Sequence, residues 1–187
     1  MNEEHAALCS SPEWAEHLQT EVLSPLLGDL ELGPNLIEVG PGPGAATDWL
    51  RRRVEMLTAV EAEAPAVAKL VERFPDVDVR LGDASALEFG DGTFDAAATF
   101  TMLHHVPTRE RQDKVLAELV RVVRPGGLIV GGDSVASEQL RQFHEGDTYN
   151  PIAPGYLLDR LRELGCGRIT VAVDIGMTFL AHKPEAA

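Results

Sequence analysis

Residues 36–50 read LIEVGPGPGAATDWL. Leu36 to Val39 form a short apolar run, and glycines follow at alternate positions, Gly40, Gly42 and Gly44. The next ten residues, AATDWLRRRV, have a helical pattern. Strand, tight turn and helix in immediate succession open a βαβ unit. Glycine at the turn lets the backbone approach a neighbour where a Cβ would clash. Pro41 and Pro43 stiffen the turn and remove two amide donors, so it is a poor cradle for a pyrophosphate. Glu38 places a carboxylate two residues before the first glycine.

Outward from this stretch the pattern repeats. MLTAVE is a strand ending at Glu61, and APAVAKLVERF is a helix with Val67, Leu70, Val71 and Phe74 on its apolar stripe, stopped by Pro75. VDVRLGD is a strand ending at Asp83, and FDAAATF is the next. TRERQDKVLAELVRVV is an amphipathic helix that buries Val115, Leu116, Leu119, Val120 and Val123 and ends at RPGG, and LIVGGD is a fifth strand. Such alternation gives a parallel sheet with right-handed crossovers and helices on both faces. The tail differs. After the helix GYLLDRLRELG come RITVAVD and MTFLAHK, two strands so close that they can pair only antiparallel. The fold class is therefore α/β, a doubly wound sheet of five parallel strands with a terminal antiparallel hairpin. One domain is expected over residues 1–187. Residues 1–35 form an N-terminal helical cap, with Ser11 as N-cap, Pro12 at the first helical position and a break at Pro25. Residues 134–155 form a long connection after the fifth strand.

Composition narrows the partners. The chain of 187 residues carries a formal net charge of −14, which repels nucleic acid and anionic membranes. No apolar run is long enough to span a bilayer and no basic, apolar leader opens the chain, so a cytoplasmic location is expected. His5, His17, His144 and His182 are scattered, only His104 and His105 are adjacent, and no metal site is expected.

The glycine turn alone is ambiguous, since Gly40, Gly42 and Ala45 also satisfy the dinucleotide pattern. Its company is more specific. Glu61 ends the second strand above the same cleft, where a carboxylate can accept both hydroxyls of a ribose. Asp83, with Ala84 after it, ends the third strand, where a side-chain acceptor and an amide can read the edge of an adenine.

EVGPGPG, Glu61, GDA at residues 82–84, FDAAATFTMLHHV and RVVRPGGLIV together resemble a class I S-adenosylmethionine-dependent methyltransferase of the small soluble type. The resemblance implies strand order 3-2-1-4-5-7-6 and a cofactor, S-adenosylmethionine, that leaves as S-adenosylhomocysteine. Glu38 and the backbone of Gly40, Gly42 and Gly44 would face the methionine part. Glu61 would bind the ribose, with Ala62 on the adenine, and Asp83 and Ala84 at its edge. Thr99, Phe100 and Thr101 would line the cofactor beside the methionine moiety. The partner is a small-molecule methyl acceptor, and the protein is expected as a monomer or homodimer. For an acceptor that must lose a proton, His104, His105, His144 and Tyr149 are the candidate catalytic residues. Asp133 and a closing helix bearing Trp14 are further candidates. Two other readings stand beside this one: a nicotinamide-dependent oxidoreductase, which lacks a Tyr-x-x-x-Lys pair here, and a non-catalytic domain that binds the same cofactor for regulation.

Overall fold

A computed structural model describes residues 2–185; Met1 and residues 186–187, at the ends of the expected domain, lie outside them. Seven strands form one sheet: β1 Asn35–Val39, β2 Met56–Glu61, β3 Asp78–Leu81, β4 Phe94–Phe100, β5 Val123–Ser134, β6 Gly167–Val173 and β7 Gly176–His182. Their spatial order is 3-2-1-4-5-7-6, as the resemblance implies. β1 to β5 pair in parallel, and β7 runs antiparallel between β5 and β6. The hairpin turns over Asp174 and Ile175, where the Asp174 N–H donates to the Gly176 carbonyl at 2.9 Å.

The helices are α1 Glu3–Cys9, α2 Pro12–His17, α3 Ser24–Leu27, α4 Ala45–Leu50, α5 Ala64–Arg73, α6 Arg109–Val122, α7 Glu138–Phe143 and α8 Pro154–Glu163. Among the described residues, no helix is long and apolar enough to cross a membrane. The central strands are buried on both sides, and period-two alternation divides their side chains. Ile37, Val39, Ala97 and Ile129 pack with Val115, Leu116 and Leu119 of α6 and Leu157 and Leu161 of α8. Leu36, Ala59, Ala96, Ala98 and Val130 pack on the other face with Leu27, Ala46, Trp49, Leu50 and Leu70, from α3, α4 and α5.

Local chemistry sets the element ends. Ser11 caps α2 by accepting from the Trp14 N–H, and Pro12 occupies the first turn, as expected. Pro25 does not break the helix, contrary to expectation. Residues 18–23 form a π turn, which passes into α3 with Pro25 in its first turn. There the Ser24 N–H reaches back five residues to the Gln19 carbonyl, so the widened turn accommodates a residue with no N–H to give. α4 is shorter than its pattern suggests. Arg51 caps it, its N–H donating to the Thr47 carbonyl and its side chain pairing with Asp48 and Asp76, and Arg53 lies over the Trp49 ring and donates to the Gly28 carbonyl. Val71 of α5 is exposed, because Leu70 and Phe74 alone carry that helix's buried contact with the sheet. RPGG belongs to β5 rather than to a helix end: Val123 already pairs with Phe94. β3 stops at Leu81, two residues before Asp83.

Gly44 closes the glycine turn at φ +87°, and a Cβ there would come within 2.4 Å of the Phe74 ring and 3.0 Å of Leu70. Its role is to seat α4 against α5. Gly44→Ala is expected to lower the unfolding free energy by about 2–4 kcal/mol, from left-handed strain plus overpacking. Urea denaturation measures this, and a loss below about 0.5 kcal/mol would show that the Phe74 ring yields freely.

Candidate functional site

The carboxyl ends of β1, β2 and β4 open onto a cleft of about 1000 Å³, at the upper end of the range for small-molecule sites. It lies where an open parallel sheet places its ligand. β1 pairs with β2 on one edge and β4 on the other, so the connections leave in opposite directions and part above it. Gly40, Pro41, Gly42 and Pro43 form one wall, with Glu38 below them. Glu61, Ala62, Glu63, Gly82, Asp83 and Ala84 form a second, and Phe100, Thr101, Met102 and His105 a third. Ala6, Cys9, Ser10 and Trp14 from the N-terminal helices and Asp147 and Thr148 from the long connection complete the mouth.

Gly40 and Gly42 take φ +65° and +54°. A Cβ on Gly40 would run into Met102, whereas one on Gly42 would meet no protein atom within 4 Å, because Gly42 faces the cleft. The turn is held from below: the Gly40 N–H donates to the Val60 carbonyl and the Gly42 N–H to Glu61 Oε2 at 3.1 Å. Glu61 Oε1 accepts from the Ala62 and Glu63 amides at 2.8 and 3.1 Å. Three amides thus fix the carboxylate at the edge of the cleft, with lone pairs remaining on both oxygens for a ligand's hydroxyls.

Glu38 shares a sheet face with Leu36, so β1 aims it at α4. It is 1% exposed, and its Oε2 accepts the Thr47 hydroxyl at 2.6 Å. Burial, aided by repulsion from Glu61 and only partly offset by Thr47, pushes its carboxyl up to about 7. A cationic ligand in the cleft would bring the proton off. Asp83 sits at the rim. It accepts from the Ser85 amide and hydroxyl and pairs with Arg111 at 2.7 Å, which hold its carboxyl below the usual range.

Three sequence expectations for the cleft need correction. Gly44 is part of the turn but faces α5, for the packing reason given above. Thr99 does not line the cleft: alternation along β4 points Phe100 toward it and leaves Thr99 buried on the far face, its hydroxyl without a hydrogen-bond partner among the described residues. Of the four candidate catalytic residues, His105 reaches the cleft, while His104 and His144 are buried behind its wall and Tyr149 is half-buried there, with its hydroxyl buried. Asp133 is equally buried and serves the turn after β4. Its Oδ2 accepts the Leu103 amide and its Oδ1 the Ser134 amide, and His104 Nδ1 lies 2.6 Å from Oδ1.

The sharp turn after β4 makes this arrangement possible. Thr101 sits at φ +52°, a strained conformation for a β-branched residue, secured by its N–H to the Gly132 carbonyl at 2.7 Å. The chain then folds as a 3-10 turn, Leu103–His105. Gln112 Nε2 donates to the Leu103 and Asn150 carbonyls, and the Asn150 N–H donates to the His104 carbonyl, so the long connection is clamped onto this turn. Gln112 and Asn150 carry no motif that would have marked them.

Nor did the sequence mark a histidine cluster. His5, His104, His105 and His144 each bring one ring nitrogen into a group whose members all lie within 4.8 Å of one another. The expectation of scattered histidines fails because three distant segments meet there: α1, the turn after β4 and the end of α7. The cluster is desolvated. Burial, together with the neighbouring rings, lowers His105 to about 4, and burial lowers His5 as well, so both rings are uncharged at neutral pH.

Residues 37–131, half of the chain, match the family described as "Methyltransferase domain". The chain belongs to this family. A Mycobacterium tuberculosis protein described as "Probable S-adenosylmethionine-dependent methyltransferase" is 28% identical over 158 residues, covering 81% of this chain and 53% of the relative. The chain spans between 31% and 53% of the length of the curated relatives it matches. Among solved structures, a Pyrococcus horikoshii protein superposes with TM-score 0.78 at 17% identity, covering 98% of this chain and all of that one. A phosphoethanolamine N-methyltransferase of Haemonchus contortus, solved with S-adenosylhomocysteine, gives TM-score 0.75 at 16% identity, over 97% of this chain and 57% of its own. Within a methyltransferase domain the nicotinamide reading of the glycine turn gives way.

The raised carboxyl of Glu38 has a thermodynamic signature. Its ordinary value is 4.5 and its folded value about 7, so between these pH values the native state holds a proton that the unfolded state has lost. Native stability therefore falls as pH rises through that window and levels off above it. Glu38→Gln removes this loss. Its Tm relative to the parent is expected to rise from pH 4.5 to pH 7.5, by the equivalent of up to about 3 kcal/mol. A pH-independent difference between the two would place the Glu38 carboxyl in the ordinary range.

Proposed function

We propose that this chain transfers the methyl group of S-adenosylmethionine to a small-molecule acceptor bound at the mouth of the same cleft. The observation that carries this reading is the union of three features in one cavity. These are a left-handed glycine turn open to the cleft, a strand-end carboxylate preorganised by three amides, and a buried carboxyl poised near neutrality beneath the turn. Family membership supports it. The fit to the cofactor is chemical. Its sulfonium and ammonium groups are cationic, and Glu38 supplies a charge that is costly when nothing positive is present. Glu61 would take the ribose hydroxyls, the Gly40–Pro43 backbone with Glu38 the methionine part, and Asp83 with Ala84 the adenine edge. The bound cofactor supplies an electrophilic methyl carbon and a good leaving group.

The chain's own residues then have little bond chemistry to do. They hold the acceptor in line and keep water out. The mouth is suited to this: Trp14, Leu18, Met102 and Val106 give it apolar walls, and Thr101, His105 and Thr148 give it polar points. We assign acceptor contact to His105 rather than to His104, His144 or Tyr149, because it alone of these reaches the cleft. The Thr101 turn fixes where His105 lies.

Calorimetric titration tests the reading. S-adenosylhomocysteine is expected to bind and NADPH not to; the reverse result would overturn it. Glu61→Ala is expected to weaken S-adenosylhomocysteine by about 1–3 kcal/mol through lost charge-assisted hydrogen bonds, and unchanged affinity would remove Glu61 from the ribose. Incubation with methyl-labelled cofactor and a panel of phenols, amines and thiols separates catalysis from a purely regulatory binding role: tight cofactor binding with no transfer across the panel would favour the latter.

A further inference from the structure

We propose that His5, His104, His105 and His144 form a binding site for one divalent metal ion of the zinc class, which clamps the N-terminal helices over the mouth of the cleft. The inference rests on the cluster itself and stands whether or not the cleft binds S-adenosylmethionine.

The first support is convergence. One ring nitrogen from each residue lies within 4.8 Å of the other three. Zinc–imidazole bonds of about 2.0–2.1 Å in a tetrahedron set the nitrogens about 3.4 Å apart, so ring rotations of about 1 Å complete the site.

The second is the state of the Nδ1 atoms. His104 Nδ1 meets Asp133 Oδ1 at 2.6 Å, His144 Nδ1 meets the Leu140 carbonyl at 2.7 Å, and His5 Nδ1 meets Asp147 Oδ2 at 3.3 Å. A carbonyl can only accept, so His144 carries its proton on Nδ1 and has a bare Nε2. Asp133 accepts from two amides besides, which gives His104 the same tautomer. Metal-bound histidines are oriented in this way, the outer nitrogen donating to a carboxylate or carbonyl.

The third is the unmet demand. Nε2 of His104 and Nε2 of His144 are buried and without a hydrogen-bond partner among the described residues, in residues 3% and 4% exposed. A buried lone pair without a donor is costly, and a cation answers both at once. The carboxylates of Asp133 and Asp147 would offset the added charge.

All-imidazole donors suit zinc and its transition-metal neighbours rather than magnesium or calcium. Four protein ligands leave no open position, which marks a structural ion rather than a catalytic one, and His105 would then meet the acceptor only through the part of its ring turned away from the ion. What it would join is clear from where the ligands come: α1, the turn after β4 and the end of α7. Ala6, Cys9 and Ser10 of the first of these segments line the cleft mouth, so an ion at this point would hold the roof in place.

The test uses the untagged full chain, stripped with chelator and titrated with Zn²⁺ by calorimetry and with Co²⁺ by visible absorption. One equivalent per chain, a tetrahedral cobalt spectrum and a zinc-dependent rise in Tm are expected. His5→Ala and His144→Ala should each weaken zinc at least a hundredfold and abolish the rise in Tm. Asp133→Asn should weaken it about ten- to a hundredfold while keeping the cobalt spectrum. No uptake by the parent chain, or parental affinity in both histidine variants, would overturn the proposal. S-adenosylhomocysteine titration of each variant reports separately on folding and on the cofactor half: metal loss with that binding retained shows that the variants fold and have lost the metal site, whereas a parent that binds metal but no S-adenosylhomocysteine sinks only the cofactor reading.

Discussion

β1 runs through the middle of the sheet, hydrogen-bonded to β2 along one edge and to β4 along the other, with helices over both of its faces. A strand so placed has no route to water, and a charged residue in it must answer to its neighbours. Glu38 meets that constraint with one hydroxyl, from Thr47, and a proton. The residues around it follow from the same geometry. The turn after β1 must bend back without side chains at Gly40 and Gly44, where Met102 and Phe74 press in. Glu61, on the same sheet face at the end of β2, is tied down by amides rather than by a cation. The cleft therefore presents the Glu61 carboxylate beside the glycine turn, with a second carboxylate beneath it whenever Glu38 gives up its proton.

The same constraint explains what could be read from sequence. Strands and helices of the central unit announce themselves because burial on both faces leaves continuous apolar runs and clear helical stripes. Glu38, Glu61 and Asp83 were legible because each is a charged residue at or near a strand end, where the pattern itself places it on the cleft. The resemblance places Gly44 and Thr99 at the cleft, yet one faces α5 and the other the opposite side of the sheet. Adjacency in sequence does not fix direction in space. Pro25 misled for a related reason: its missing donor breaks an α-helical ladder but not a π turn.

Behind the cleft wall the sequence offers His104, His105, His144 and Asp133 one by one, without showing that they meet. The contacts that join Asp133 to His104, Gln112 to Asn150 and His5 to Asp147 span 29, 38 and 142 residues, and no local period reports such contacts. They become visible when α6, α7 and the long connection close on the turn after β4. That turn is itself a compromise, since Thr101 accepts a strained backbone so that Met102 can fill the space under Gly40. Strain at a strand end, a buried polar network behind it and a glycine in front of it are one structural unit.

The N-terminal arm differs from the rest of the molecule in how it is attached. α2 buries none of its residues, and firm apolar anchorage begins at Leu18 and Leu23 in the π turn. Before that point Asn2 and His5 hold the arm to residues 143–147 through hydrogen bonds. Such a segment can detach while the sheet stays whole, as a local opening whose free energy is a fraction of that for global unfolding. The arm joins the core at residues 18–23, and because Ala6, Cys9, Ser10 and Trp14 line the cleft mouth, part of that mouth is walled by a segment held mainly through polar contacts.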